Sequence, residues 1–391
     1  MNYSLKKTYF PGLTGLRFIA AFVVLISHLE EMKKLFGYDN WRDVPGVRYM
    51  GATAVNFFFV LSGFLITYLL LQEKSTTGTV SLMDFYSKRM TRIWPLYYFL
   101  LLLGLVIIPQ ISWMDIPHVS TEVSARNVFF FLTIFPNAVF ALYGFTPYLV
   151  QTWSIGVEEQ FYAVWPLLFL RTSKPIRNIS IFFVVYLFIY VIASIALPKL
   201  PPGNLNSAIM VFKLTRIDSM AVGGLGAWLV FSNKQRILAL LLHPLVQIVT
   251  GIAILLLMVS AIAFPLSHSV FSVLFLVWIL NVALKPESAL TKLLEGNVFN
   301  YLGKISYGIY MYHFLVIGFV LHLLRGSFLI NPLGIVENLV LYVLTTALVI
   351  LVSALSYHAF ELKVMRWQPR VAAGLRKIKA KLSFQKARQL A

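Results

Sequence analysis

Segment after segment of this 391-residue chain runs for close to 20 residues with almost no charge. That is the length needed to cross about 30 Å of hydrocarbon. Ile181 to Leu197, Leu245 to Leu266 and Leu339 to Tyr357 are examples, and no soluble core needs so many. Composition agrees: 59% of residues are apolar and 12% charged, against roughly 45–50% and 25% in soluble domains. The fold class read from this is an all-α, multi-pass membrane protein.

The first apolar segment follows Met-Asn-Tyr-Ser-Leu-Lys-Lys and ends in no small-residue cleavage site. It therefore reads as a first membrane helix, not a removed signal peptide. Cysteine is absent, which excludes a disulfide framework, a Cys-ligated metal and a thiol nucleophile. The formal net charge is +18. Half of it lies after Glu361, from Lys363 to Arg388, with no acidic residue between. Basic segments beside membrane helices mark the cytoplasmic side and anionic lipid, so no nucleic-acid role is expected.

Basic loops set a topology. Lys6/Lys7, the 74–92 loop, Arg171/Lys174/Arg177, Lys234/Arg236, Lys285/Lys292 and the tail are assigned to the cytoplasm. Ten spans are expected, at 12–30, 52–72, 94–110, 152–170, 178–197, 211–232, 243–264, 268–284, 301–324 and 335–360, with both termini cytoplasmic. Residues 127–144 do not fit, because both flanks should lie outside and Pro136-Asn137 interrupts the run. They read as a re-entrant or interfacial segment, allowed only where protein shields the backbone. Residues 1–365 form one membrane domain and 366–391 a basic cytoplasmic tail; no internal repeat is evident.

Ionisable groups inside spans are costly and mark functional candidates. Arg17 and His28 are eleven residues apart in helix one. That spacing is three turns plus about 20°, so they share a face about 16 Å apart along the axis. The packing-only alternative is a snorkelling Arg17 and a capped interfacial His28. In Trp153-Ser154-Ile-Gly-Val-Glu158-Glu159, Ser154 and Glu158 stack on one face and Glu159 points about 100° away. Salt bridges to Arg17, Arg216 or His28 would be the merely structural reading of the two carboxylates. Ser306, Tyr310 and His313 share a face of a later helix. Arg89 and Arg92 are three apart at the expected start of a helix near the inner face. Guanidinium forks suit phosphate there, although positive-inside charge alone explains them too. Gly63 permits close helix approach with Asn56 two turns earlier, and Arg216 with Asp218 should pair within the bundle.

Arg17 to His28 after Leu-Thr-Gly-Leu, Phe58-Phe-Val-Leu-Ser-Gly-Phe-Leu-Ile66, Arg92-Ile-Trp-Pro-Leu-Tyr97 and Trp153-Ser-Ile-Gly-Val-Glu-Glu-Gln-Phe-Tyr162 resemble acyltransferase family 3. Ser306-Tyr-Gly-Ile-Tyr-Met-Tyr-His313 and Tyr357-His-Ala-Phe-Glu361 continue the resemblance, in order over about residues 9–365. Each motif alone is weak; six in register are specific. The resemblance implies a ten-helix bacterial inner-membrane enzyme that moves an acyl group, usually acetyl from acetyl-CoA, to a sugar hydroxyl. It also implies that Arg17 and His28 are essential. It does not name the acceptor, which in the family ranges over surface glycans, glycolipids and antibiotics.

The function expected is an O-acetyltransferase acting on a cell-surface or exported carbohydrate or glycolipid. His28 would be the general base, with Glu158 or Glu159 orienting its imidazole. Arg17, Arg89 and Arg92 would hold CoA, a co-substrate and not a resident cofactor; no metal is expected. Asn56, Trp153, Ser154, Arg216, Tyr310 and His313 would bind substrate or support the site. Ser154 as a covalent relay remains open beside direct transfer. The competing classes are a glycan transporter or flippase, since a polar line suits a pathway too, and a structural partner in a glycan-assembly complex.

Overall fold

A computed structural model describes residues 9–117, 119, 123–170, 172, 174–201, 203–260, 267–324 and 334–378. Lys6, Lys7, Arg171 and the tail beyond residue 378 fall outside them, with the topological readings placed there. Every regular element among the described residues is helical. In order these are α1 (Leu13–Leu35), α2 (Val47–Thr77), α3 (Leu82–Leu102), α4 (Ala125–Leu132), α5 (Pro136–Tyr143), α6 (Thr152–Val164), α7 (Pro175–Ala196) and α8 (Asn204–Leu214). There follow α9 (Ile217–Phe231), α10 (Gln235–Leu241), α11 (Pro244–Ser260), α12 (Ser267–Leu284), α13 (Ala289–Glu295), α14 (Asn297–Lys304), α15 (Ser306–Leu323) and α16 (Ile335–Ser356).

Seven helices are long and apolar enough to cross a membrane, and an eighth if α10 and α11, bent by 55°, form one span. The expectation was ten. The shortfall has a physical cause. Helix α6 has 13 residues and α9 has 15, less than the roughly 17–25 that a lone span requires. Both are mostly buried against other parts of the protein. The span expected at 211–232 is broken at Arg216, which takes a left-handed φ of 40° and separates α8 from α9. Helix α3 starts well before residue 94, because Ser81 caps the backbone N–H of Asp84. Arg89 and Arg92 therefore sit within a helix, about two turns or more past its first residue.

At the centre α2 packs along α1, α9 and α12, and α15 packs against α1. Glycine sets the closest approach. A Cβ on Gly63 would fall 1.9 Å from the Met220 carbonyl oxygen, and one on Gly223 would fall 2.0 Å from that of Val60. Only bare backbone fits there. The Leu-Thr-Gly-Leu opening of α1 is explained the same way. Gly12 adopts φ 77° and donates its N–H to Glu295 at 2.7 Å, while a Cβ at Gly15 would lie 2.4 Å from the Leu294 carbonyl oxygen. The start of α1 is thus wedged on α13 and α14, which fixes the depth and azimuth of Arg17 one turn on.

Residues 127–144 are interrupted, as their sequence requires. Helices α4 and α5 are separated at Thr133–Phe135, with Ile134 at φ 62°. Helix α5 lies on α6: Pro136 and Asn137 press against Gly156, and Asn137 and Gln160 exchange amide hydrogen bonds of 2.8 and 3.3 Å. That reciprocal pair keeps polar groups satisfied beside a broken helix.

Candidate active site

Helix α1 is unbroken from Leu13 to Leu35, so it carries Arg17 and His28 in the register their spacing predicts. Arg17 lines a cavity of about 100 Å³ shared by α1, α2, α3, α6 and α15. Arg89, Arg92, Ser62, Ser154, Glu158, Tyr162, Ser306, Tyr307 and Tyr310 line it too. Three guanidiniums therefore face one carboxylate. Glu158 accepts hydrogen bonds from Ser62 Oγ at 3.0 Å and Tyr162 OH at 3.1 Å. Among the described residues, neither an ion pair nor a side-chain hydrogen bond engages Arg17, Arg89 or Arg92. Arg89 stacks over the Phe85 and Tyr162 rings at 5.9 and 6.0 Å, and its Nε is buried without an acceptor. Such a cluster is built for an anion with several oxygens.

Beyond Tyr310 comes His28. Its Nδ1 lies 2.8 Å from His313 Nε2, and the rings stack with centroids 4.9 Å apart. His313 Nδ1 is 2.6 Å from the Tyr310 carbonyl oxygen. A carbonyl only accepts, so His313 carries its proton on Nδ1. Neutral His313 Nε2 must then accept, which places the His28 proton on Nδ1 and leaves a lone pair on His28 Nε2. The chain of hydrogen bonds fixes His28 in the tautomer a general base needs.

This differs from the expectation for the carboxylates. Neither Glu158 nor Glu159 reaches His28: both Glu158 oxygens are engaged as above, and Glu159 accepts from Trp94 Nε1 at 3.0 Å. Helix α6 turns these groups toward α2 and α3, and His313 holds the orienting position. Nor do the structural salt bridges considered for Glu158 and Glu159 occur among the described residues. Ser154 Oγ lies 2.6 Å from Tyr310 OH and 3.3 Å from the Gln151 carbonyl oxygen, with no base among these partners.

Asn56 lies away from the cavity. It donates to the His268 carbonyl and to Ser272 Oγ at 2.8 and 2.9 Å, and accepts from Ser219 at 2.7 Å, tying α2 to α9 and α12. Arg216 does not pair with Asp218. It stands 5.6 Å over the Trp153 ring, while Asp218 takes a hydrogen bond from Ser269 at 2.6 Å and faces His268 Nε2 at 3.1 Å. The i, i+2 spacing at a helix start points the two side chains apart. Ser62 and Tyr162 were missed in sequence, although Tyr162 is one turn after Glu158 on the same face. Also missed was a buried group above His28: Glu30 with Lys33 at 2.7 Å, Lys33 with Asn338 Oδ1 at 2.8 Å, and Trp41 N–H and Tyr342 OH donating to Glu30.

Together these features describe a helical membrane protein with a cationic cavity that ends near a polarised histidine pair. A model of the acyltransferase domain family matches residues 10–358, and the chain belongs to that family. It is similar to the peptidoglycan O-acetyltransferase OatA of Listeria monocytogenes, 26% identical over 80% of this chain and 50% of that protein. It is similar also to the O-acetyltransferase OatA of Staphylococcus aureus, 28% identical over 92% of this chain and 57% of that one. The chain thus spans little more than half the length of these curated relatives. No solved structure matches it.

Proposed function

We propose that the protein is a bacterial inner-membrane O-acetyltransferase. It takes acetyl from cytoplasmic acetyl-CoA and delivers it to a hydroxyl of a cell-surface or exported carbohydrate or glycolipid. The observation that carries this reading is the trio Arg17, Arg89 and Arg92, without protein acceptors among the described residues, around a cavity whose Tyr310 ring lies 5.7 Å from that of His313, the partner of His28. The guanidiniums suit the diphosphate and pantetheine end of CoA; Glu158 is their counter-charge. The ~16 Å from Arg17 to His28 along the helix leaves an extended thioester arm within reach of the base.

His28 Nε2 takes the proton of the acceptor hydroxyl as its oxygen bonds the acetyl carbon. His313 holds the imidazole and shares the positive charge that develops. The carbon–sulfur bond then breaks, and the departing thiolate of CoA takes from His28 the proton that came from the acceptor hydroxyl. Direct transfer is preferred to a Ser154 ester, because Ser154 has no base among its partners. Ten spans with cytoplasmic termini remain the proposed topology, with the basic loops and the basic tail against anionic lipid.

Oriented proteoliposomes test the scheme. Acetyl ester should form on a glycan panel only with acetyl-CoA on the side of the basic loops and glycan opposite. Efficient transfer with both on the cytoplasmic side removes the threaded arm but keeps the acetyltransferase. Glycan movement without acetyl-CoA turnover replaces the enzyme with a transporter.

A further inference from the structure

The end of the cavity beyond the arginines holds two hydroxyls that share one acceptor. Tyr310 OH donates to the Gln151 carbonyl oxygen at 3.0 Å, Ser154 Oγ lies 3.3 Å from the same oxygen, and the two hydroxyl oxygens are 2.6 Å apart. Two protons serve that arrangement, and either hydroxyl alone satisfies the carbonyl. The other can turn to a new acceptor without leaving a buried group unpaired. The other cavity hydroxyls are committed elsewhere. Ser62 and Tyr162 serve Glu158, Ser306 donates to the Gly303 carbonyl at 2.8 Å, and Tyr307 donates to that of Ile93 at 2.9 Å.

Position also sets this pair apart. The backbone carbonyl of Tyr310 accepts the His313 proton, so the residue that anchors the histidine pair also carries the phenol. Ring centroids run from Tyr310 to His313 at 5.7 Å and from His313 to His28 at 4.9 Å. On the acetyl-CoA reading, a thioester that runs from the arginine cavity to the histidine pair passes the Tyr310 side of the cavity.

We infer that Tyr310 OH and Ser154 OH are catalytic residues that stabilise the oxyanion of the tetrahedral intermediate. This rests on the acetyl-CoA reading above. As the acceptor oxygen bonds the acetyl carbon, the carbonyl π electrons move onto oxygen and the hydroxyl proton moves to His28. Tyr310 OH turns to the oxyanion while Ser154 takes over the Gln151 carbonyl, or the two exchange these parts. When the carbon–sulfur bond breaks, the carbonyl re-forms and the resting hydrogen bonds return. A donor aimed at charge that exists only in the transition state raises rate without tightening ground-state binding.

The start of α6 has a second tie to α15 that does not use this pair. Gln151 Nε2 donates to the Tyr148 and Met311 carbonyls at 3.0 and 2.8 Å, so Tyr310→Phe should fold. The test is single-turnover transfer by full-length protein in liposomes, from acetyl-CoA to a panel of chitooligosaccharides and solubilised muropeptides. Tyr310→Phe should slow the chemical step roughly 10²-fold with donor affinity unchanged. Ser154→Ala should slow it less, and Ser154→Thr should restore it. Fluorotyrosines at 310 keep the hydroxyl, and their rates should rise with phenol acidity. A wild-type rate in Tyr310→Phe, or a flat fluorotyrosine series, overturns the assignment and leaves the acetyltransferase standing. No transfer by wild-type protein overturns both.

Discussion

Helix α1 carries buried charge at two levels, and they are treated in opposite ways. Near its C-terminal end, the outer one in the proposed topology, Glu30 and Lys33 are each 1% exposed and hydrogen-bonded, with Trp41, Tyr342 and Asn338 completing the set. Around its N-terminal end, the inner one in that topology, Arg17, Arg89 and Arg92 share a cavity with one carboxylate that is already hydrogen-bonded to Ser62 and Tyr162. Charge in a membrane protein is expensive in either place. The outer group is neutralised within the protein and serves packing. The inner one has no such partner among the described residues, and on the acetyl-CoA proposal it is kept for the donor. It is the missing partner, not the burial, that makes it the candidate site.

Substitutions can break or sharpen that contrast. The largest loss should come from His28, between the two levels: His28→Ala should lower transfer roughly 10²–10⁴-fold, as for loss of a general base, with acetyl-CoA binding by calorimetry intact. An equal loss of donor affinity would merge His28 with the arginine cluster. Next is the outer pair. Glu30→Gln strands the Lys33 ammonium and should cost about 3–5 kcal/mol of thermal stability in detergent. The double variant Glu30→Gln/Lys33→Met should recover most of it, and activity per folded molecule should hardly change. The inner level should behave inversely. Arg17→Ala should weaken acetyl-CoA by about one to two orders of magnitude, the worth of a hydrogen bond to a charged group, with melting temperature unchanged or raised. The smallest effect separates fork from point charge: Arg17→Lys should recover little of that affinity if two parallel hydrogen bonds are made. A destabilised Arg17→Ala would show that the inner charges are packing groups after all.

How much of this was legible depends on how far each inference had to reach. The Arg17–His28 line was readable because one continuous helix transmits register over eleven residues. The shared face of Ser306, Tyr310 and His313 was readable for the same reason. The partner of His28 was not, since His28 and His313 are 285 positions apart and meet only where α1 packs on α15. Glu158 reads from sequence as a companion of His28 but lines the cavity of Arg17, Arg89 and Arg92 instead, because which helix α6 faces leaves no local trace. Glu30 and Lys33 look like a surface pair at i, i+3 spacing; their burial comes from α16 and the Trp41 loop. Ten spans follow from apolar length, whereas seven or eight helices among the described residues meet the length criterion; the difference lies in short segments such as α6 and α9, whose lengths the apolar runs do not reveal. A broken 127–144 was legible from Pro136-Asn137, whereas its docking on Gly156 was not.

The contact between α2 and α9 has a mechanical consequence. With Gly63 on the Met220 carbonyl and Gly223 on that of Val60, the two backbones can neither slide nor roll past one another without collision. They form a keel. The wall opposite is jointed: α3 bears Arg89 and Arg92 and contains Pro95, which removes one rung of its hydrogen-bond ladder. One rib is rigid and one plank lacks a rung, so under the acetyl-CoA proposal the motion that admits the donor is expected in α3 and not between α2 and α9.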